Sequence, residues 1–245
     1  MPMDPPSILV VFIAAMITAL ATGLGALPLL AMRNSGQRAR AIGTALAAGL
    51  MLAATFSLIQ EGFALDSRRT LAGVVAGLAL IWLARALLPE ARWHDHGAQA
   101  RRKIFLIMAV MTAHSAAEGI GVGVAWGGGE QLGEFITLAI ALHNIPEGLA
   151  IALVMVPRGA SVARASLFAI ASSLPQPLLA VPAFLFVLAF APWLPVGLGL
   201  AAGAMLWMIF AELMPDAHQG LDSGQMGALV TAGFAAMMAA TLLLG

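Results

Sequence analysis

The chain has 245 residues, 61% of them hydrophobic and 10% charged, with mean hydropathy +0.94 and twelve basic against twelve acidic side chains. A soluble domain carries about a quarter charged residues, so this composition excludes a water-facing surface and makes the chain a membrane protein. Zero net charge without a long basic run argues against nucleic acid as a partner, and the absence of cysteine removes disulfides, thiol catalysis and thiolate metal sites.

Crossing a hydrocarbon core about 30 Å thick takes about 20 mostly apolar residues in a helix. Eight such runs follow one another: Ile8–Met32, Ile42–Leu65, Thr70–Leu88, Ile104–Trp126, Glu134–Val156, Ala165–Phe190, Leu194–Pro215 and Gln225–Leu244. Their length and the lack of period-two alternation predict helices rather than barrel strands. The expected fold is all-α, a single transmembrane domain over residues 1–245 with eight spanning helices. The first run exceeds the apolar core of a signal peptide and is read as a helix of the mature chain.

Basic residues set the orientation. Arg33, Arg38 and Arg40 follow the first run, and Arg85, Arg92, Arg101, Arg102 and Lys103 surround the connection between the third and fourth. Arg158 and Arg164 follow the fifth, which leaves only Arg68 and Arg69 on the other side. Short basic loops stay in the cytoplasm, so both termini are expected outside. His94 and His96, in the loop from Pro89 to Lys103, suit a solvated polar loop better than a low-affinity metal collector.

A carboxylate near the centre of a membrane helix costs about 2.5–3.5 kcal/mol on insertion scales and normally faces a partner, a cavity or a transport path. The fourth run reads His114-Ser115-Ala116-Ala117-Glu118-Gly119 and the fifth His143-Asn144-Ile145-Pro146-Glu147-Gly148. In each, His and Glu are four residues apart and share one helix face. At a rise of about 1.5 Å per residue, His114 and Glu118 lie about 15 and 21 Å along the fourth run, and His143 and Glu147 about 14 and 20 Å along the antiparallel fifth. One such pair reads equally well as a buried ion pair fastening the bundle. Two at matching depth favour a four-ligand set for Zn²⁺ or another first-row divalent ion, whose charge would neutralise two carboxylates.

Pro146 removes a backbone donor inside the fifth helix and predicts a kinked or unwound segment, while Gly148 allows close helix approach. The sixth run repeats the theme in Ser172-Ser173-Leu174-Pro175-Gln176-Pro177, where Gln176 offers a third-helix oxygen, although an interhelical hydrogen bond is the commoner role of a buried Gln. Glu61, on one side of the cluster, and Glu212 and Asp216, on the other, are candidate entrance and exit points for a cation, although interfacial acids are common. His218 is read as a solvated residue, and Met205, Met208 and Met214 as packing filler.

On the His143–Gly148 motif, with the His114–Gly119 motif as a variant of its fourth-helix counterpart, the sequence resembles the ZIP (Zrt/Irt-like protein) family of divalent metal transporters, bacterial type. The likeness covers essentially the whole chain. It implies a 3+2+3 arrangement in which the first and last three helices form an inverted repeat around the middle two. It also implies a primary metal site of His114, Glu118, His143 and Glu147, and a weaker second site of Ser115, Asn144 and Gln176 sharing Glu118 and Glu147. Family members commonly have Asn at the position of Ser115 and Glu at that of Gln176, so a second cation would find less charge here.

The expected function is secondary transport of Zn²⁺, or of Fe²⁺, Mn²⁺ or Cd²⁺, into the cytoplasm of a bacterium through its inner membrane. The metal is then cargo rather than cofactor, and its partners are the divalent ion and the bilayer, with a homodimer compatible with the sequence. Protonation of the ligands would weaken metal binding and aid release. An intramembrane zinc-dependent hydrolase is the rival from another class, with three ligands leaving a fourth position for an activated water. It is disfavoured by a fully supplied ligand set and by the absence of an HExxH motif.

Overall fold

The computed structural model describes residues 7–31, 36–87 and 96–244. Arg33, Arg92 and His94 lie outside the described residues, and the side chains of Arg85 and His96 lie outside the described side chains. The described chain is helical throughout: α1 (Ile8–Leu24), a short α2 (Pro28–Ala31), α3 (Gln37–Leu87), α4 (His96–Gly127), α5 (Glu130–Met155), α6 (Val162–Ser173), α7 (Pro175–Leu185), a short α8 (Val187–Phe190), α9 (Leu194–Met208), a π-helical segment (Ile209–Leu213), α10 (Met214–His218) and α11 (Ser223–Leu244). Among the described residues, seven helical stretches are long and apolar enough to cross a membrane, and the protein is an all-helical polytopic membrane protein.

One of the seven, Gln37–Leu83, has 47 residues. Straight, it would run about 70 Å, more than twice a bilayer core. It is broken at Asp66, whose φ of −163° and ψ of 106° are extended. The Asp66 carboxylate accepts a hydrogen bond from the Arg69 N–H at 3.0 Å and so caps the second half of α3. Arg69 in turn donates to the Pro192 carbonyl at 2.8 Å, tying this corner to the start of α9. The second and third runs of the sequence are thus joined in one helical stretch by a corner of a single residue.

Three further differences from the sequence reading have local causes. The sixth run is not one helix: it breaks at Leu174, ahead of Pro175, and again at Phe186 (φ −119°, ψ 41°). Pro175 cannot donate to the preceding turn, and it opens α7 at the position proline tolerates best. The seventh run continues to His218 and carries the π turn with its extra residue. Pro146, by contrast, lies inside an unbroken α5, so the irregular backbone expected there falls between α6 and α7 instead.

Packing sorts the helices into two groups. One is α3, α9, the π segment, α10 and α11; the other is α1, α4, α5, α6 and α7. Close backbone approach holds each together. In the first group, a Cβ on Gly199 would meet the Thr70 carbonyl at 2.1 Å, and one on Gly73 the Val196 carbonyl at 2.2 Å. In the second, a Cβ on Gly148 would lie 1.7 Å from the Thr22 carbonyl, and one on Gly25 2.2 Å from the Ile145 carbonyl. Small residues at such crossings allow the van der Waals packing that replaces the hydrophobic effect between helices in lipid. Large apolar side chains such as Leu9, Val75, Trp82 and Leu243 stay exposed, as a lipid-facing surface requires.

Candidate metal centre

The fourth and fifth spans bring their polar residues to the contact between α4 and α5. His114, Glu118 and Glu147 each place one ligand atom within 4.8 Å of the others, and all three are buried. His114 Nε2 lies 2.6 Å from Glu147 Oε1 and 3.3 Å from Glu118 Oε1. Both distances are those of an ion pair. Both oxygens of Glu147, Glu118 Oε1, His114 Nδ1 and Asn144 Oδ1 are all buried with no hydrogen-bond partner.

A buried acceptor left unpaired costs about 1–3 kcal/mol, more when charged. Two carboxylates and an imidazole concentrated on one spot with lone pairs unused are therefore a poor way to fasten helices and a good way to hold a cation. A divalent ion would cancel the 2− charge, and the nitrogen and oxygen donors suit zinc and its first-row neighbours.

The fourth predicted ligand stands apart. His143 is 5% exposed and, with Glu118, lines the floor of a cavity of about 510 Å³ between the two groups of helices. The cavity opens toward the end of the bundle that carries Leu65, Gly128 and Leu132, and its walls are chiefly apolar. Glu61 is exposed on its wall. His143 thus lines the cavity beside Glu118 and is not one of the clustered trio.

Behind Glu118 lies a hydrogen-bonded relay. Gln176, fully buried at the start of α7, donates its Nε2 to Glu118 Oε2 at 2.6 Å, while its Oε1 accepts from Asn144 Nδ2 at 3.1 Å and from Thr18 Oγ1 at 2.6 Å. Asn144 Nδ2 also donates to the Thr18 carbonyl at 2.7 Å. The relay fixes one oxygen of Glu118 and leaves the other turned toward His114. Ser115 is fully buried and reaches Ser173 at 3.5 Å, which pairs with Thr22 at 2.8 Å.

Thr18 and Thr22 did not emerge from the sequence reading as site residues. They are the two polar side chains of α1, four residues apart and so on one face, a weaker version of the signal that marks His114 and Glu118.

Glu212 and Asp216 lie at the opposite end of the bundle from the cavity and are engaged by Lys103 and Arg158. His218 is exposed, while Met205 and Met208 are fully buried in the apolar core and Met214 packs against it.

No protein-family model matches the chain. Three relatives do. A candidate zinc transporter of Arabidopsis thaliana is 42% identical over 231 residues, 92% of this chain and 37% of the relative, so the chain spans little more than a third of that protein's length. The zinc transporter ZIPB of Bordetella bronchiseptica is 36% identical over 236 residues, 89% of this chain and 76% of the relative. The zinc transporter GufA of Myxococcus xanthus is 30% identical over 224 residues, covering 85% of this chain and 88% of the relative.

Proposed function

The chain belongs to the ZIP family, and from that premise we propose that it is a secondary transporter that carries zinc across the membrane to the cytoplasm. The observation that carries this reading is the buried trio with its unpaired lone pairs, whose Glu118 also lines the cavity. Two relatives named as zinc transporters, matched over most of their length, make zinc the first choice of cargo. Fe²⁺, Mn²⁺ and Cd²⁺ suit the same donors.

In this reading His114, Glu118 and Glu147 form the primary site, and His143 joins as the fourth ligand once the ion has entered from the cavity. Glu61 attracts the cation at the cavity wall. A second ion, using Ser115, Asn144 and Gln176, would bind weakly: the Gln176 oxygen already has two donors and its nitrogen faces Glu118.

The break at Asp66 supports eight crossings rather than seven, and a 3+2+3 inverted repeat is the arrangement that sets a midplane site between moving halves. The cavity mouth lies at the end that carries Arg68 and Arg69, and Lys103, Arg158 and Arg164 lie at the other. The excess of basic residues at the latter end supports a cytoplasmic face there, with the termini and the cavity outside, in a bacterial inner membrane. A homodimer remains compatible with the exposed apolar faces of α1 and α11. A hydrolase reading draws no support from relatives named for transport.

Reconstituted in proteoliposomes, the protein is expected to take up zinc saturably without ATP, with iron, manganese and cadmium ions competing. Uptake no greater than in protein-free vesicles would reject the proposal. Because the ligands must be deprotonated to bind, zinc affinity is expected to fall as pH is lowered.

The relay behind Glu118 makes a separate prediction. Gln176→Leu removes the donor that fixes Glu118 Oε2, and partners of this kind contribute about 10–100-fold to metal affinity. Calorimetric titration with zinc should show a loss in that range, and an unchanged affinity would mean that Glu118 is held by something else.

A further inference from the structure

The end of the bundle opposite the cavity carries a cluster of ion pairs beside its apolar packing. The Lys103 ammonium lies 2.9 Å from Glu212 Oε2, 2.9 Å from Asp216 Oδ1 and 3.4 Å from the Glu212 carbonyl. An ammonium has three donors, and all three find an acceptor here. Arg158 approaches the other oxygen of Asp216 at 3.9 Å and holds its own helix end by donating to the Val154 carbonyl at 2.7 Å. Lys103 and Glu212 are 15% and 14% exposed, so solvent screens this contact far less than a surface pair.

The pairing partners come from different groups of helices. Lys103 stands on α4 and Arg158 on the turn that ends α5, both in the group that carries the trio. Glu212 stands on the π segment and Asp216 on α10, both in the other group. Every ion pair described at this end therefore bridges the two groups. Lys103 is eleven residues before His114 on the same helix, about 16 Å away at the helical rise, so the bridge lies between the metal centre and the closed face. The π turn places Glu212 one turn from Asp216, and such bulges concentrate at functional sites.

We propose that Lys103, seconded by Arg158, is a latch that holds this end of the bundle shut while the cavity is open, with Glu212 and Asp216 as its catch. A tethered ammonium then fills the place between two carboxylates on the way out, and the path to the closed face opens only when the two groups separate and Lys103 withdraws. The inference rests on the reading of the chain as an alternating-access transporter, and it assigns to Lys103 a control of state rather than contact with the cargo.

The chain has no cysteine, so a single one introduced as Ala64→Cys on the cavity wall reports the cavity-open state by its rate of reaction with a hydrophilic maleimide in lipid nanodiscs. Lys103→Gln and Asp216→Asn, each in that background, should slow labelling by up to about tenfold, the ceiling set by a loss of about 1.4 kcal/mol of preference for the open cavity. Lys103→Arg, which keeps the charge, should label at the parent rate. If Lys103→Gln does not fold, Asp216→Asn decides. Parent-like labelling in a folded neutral variant overturns the latch. Zinc uptake by the parent, measured in parallel, separates the two ideas: slowed labelling in a protein that moves no zinc rejects transport and keeps the latch, whereas intact uptake with unchanged labelling rejects the latch alone.

Discussion

Glu147→Gln weakens equilibrium zinc binding by at least about 100-fold while leaving the protein folded. Glu147 has both oxygens buried without a hydrogen-bond partner. Its Oε1 lies 2.6 Å from His114 Nε2, and an amide of nearly the same shape fills the same space. What the amide lacks is charge. With Glu118 as the remaining carboxylate of the trio, a divalent ion at the site would keep one uncompensated positive charge in a low-dielectric interior, where such an imbalance is most costly. Partners outside the ligand shell already account for about 10–100-fold in affinity, so a charged ligand within it should exceed that range. Isothermal titration of purified protein reads the loss, and parent-like affinity would remove Glu147 from the site.

Gly148→Ala should destabilise the protein by about 3 kcal/mol or more. The added Cβ would lie 1.7 Å from the Thr22 carbonyl oxygen, which is backbone and cannot rotate away. Relief requires α1 and α5 to separate, and on the other side of the same crossing Gly25 is in comparable contact with the Ile145 carbonyl. Overpacking that flexible side chains can absorb costs about 1–3 kcal/mol, and a backbone collision lies at or beyond the top of that range. Parting these helices would also pull Thr18 away from Asn144, a member of the relay behind Glu118, so zinc affinity should fall with stability. Gly227→Ala in α11 is the control. A Cβ there meets nothing within 4 Å, and alanine should leave stability unchanged or raise it by up to about 1 kcal/mol through helix propensity. Thermal unfolding in detergent that finds both variants alike would contradict the packing described for α1 and α5.

Much of the fold is legible in the chain because the membrane imposes a single rule. Apolar runs of sufficient length become helices, and the described residues are helical along each run, with the second and third runs merged into one of seven candidate spans. The corner at Asp66 was less visible: only four residues separate the second and third runs, and their joining in one helical stretch depends on the Asp66 carboxylate capping Arg69. Pro146 shows the limit of reading proline alone. Inside α5 it is accommodated in a continuous helix, while Pro175 ends one, and nothing in either local sequence states which will happen.

At the site, four-residue spacing shows which side chains share a helix face, and matched depth shows which faces can meet. The rotation of α5 about its axis is not written in the spacing. That rotation brings Glu147 against His114 and turns His143 toward the cavity instead. The connection of Gln176 to Glu118, and of Lys103 to Glu212 and Asp216, spans 58 to 113 positions and follows from tertiary packing.

Uptake of radioactive zinc into proteoliposomes by the parent chain and by Glu147→Ala tests the central claim most directly. The buried trio as the transport site predicts saturable uptake by the parent and uptake at the level of protein-free vesicles for the variant. Equal, saturable uptake by both would contradict it.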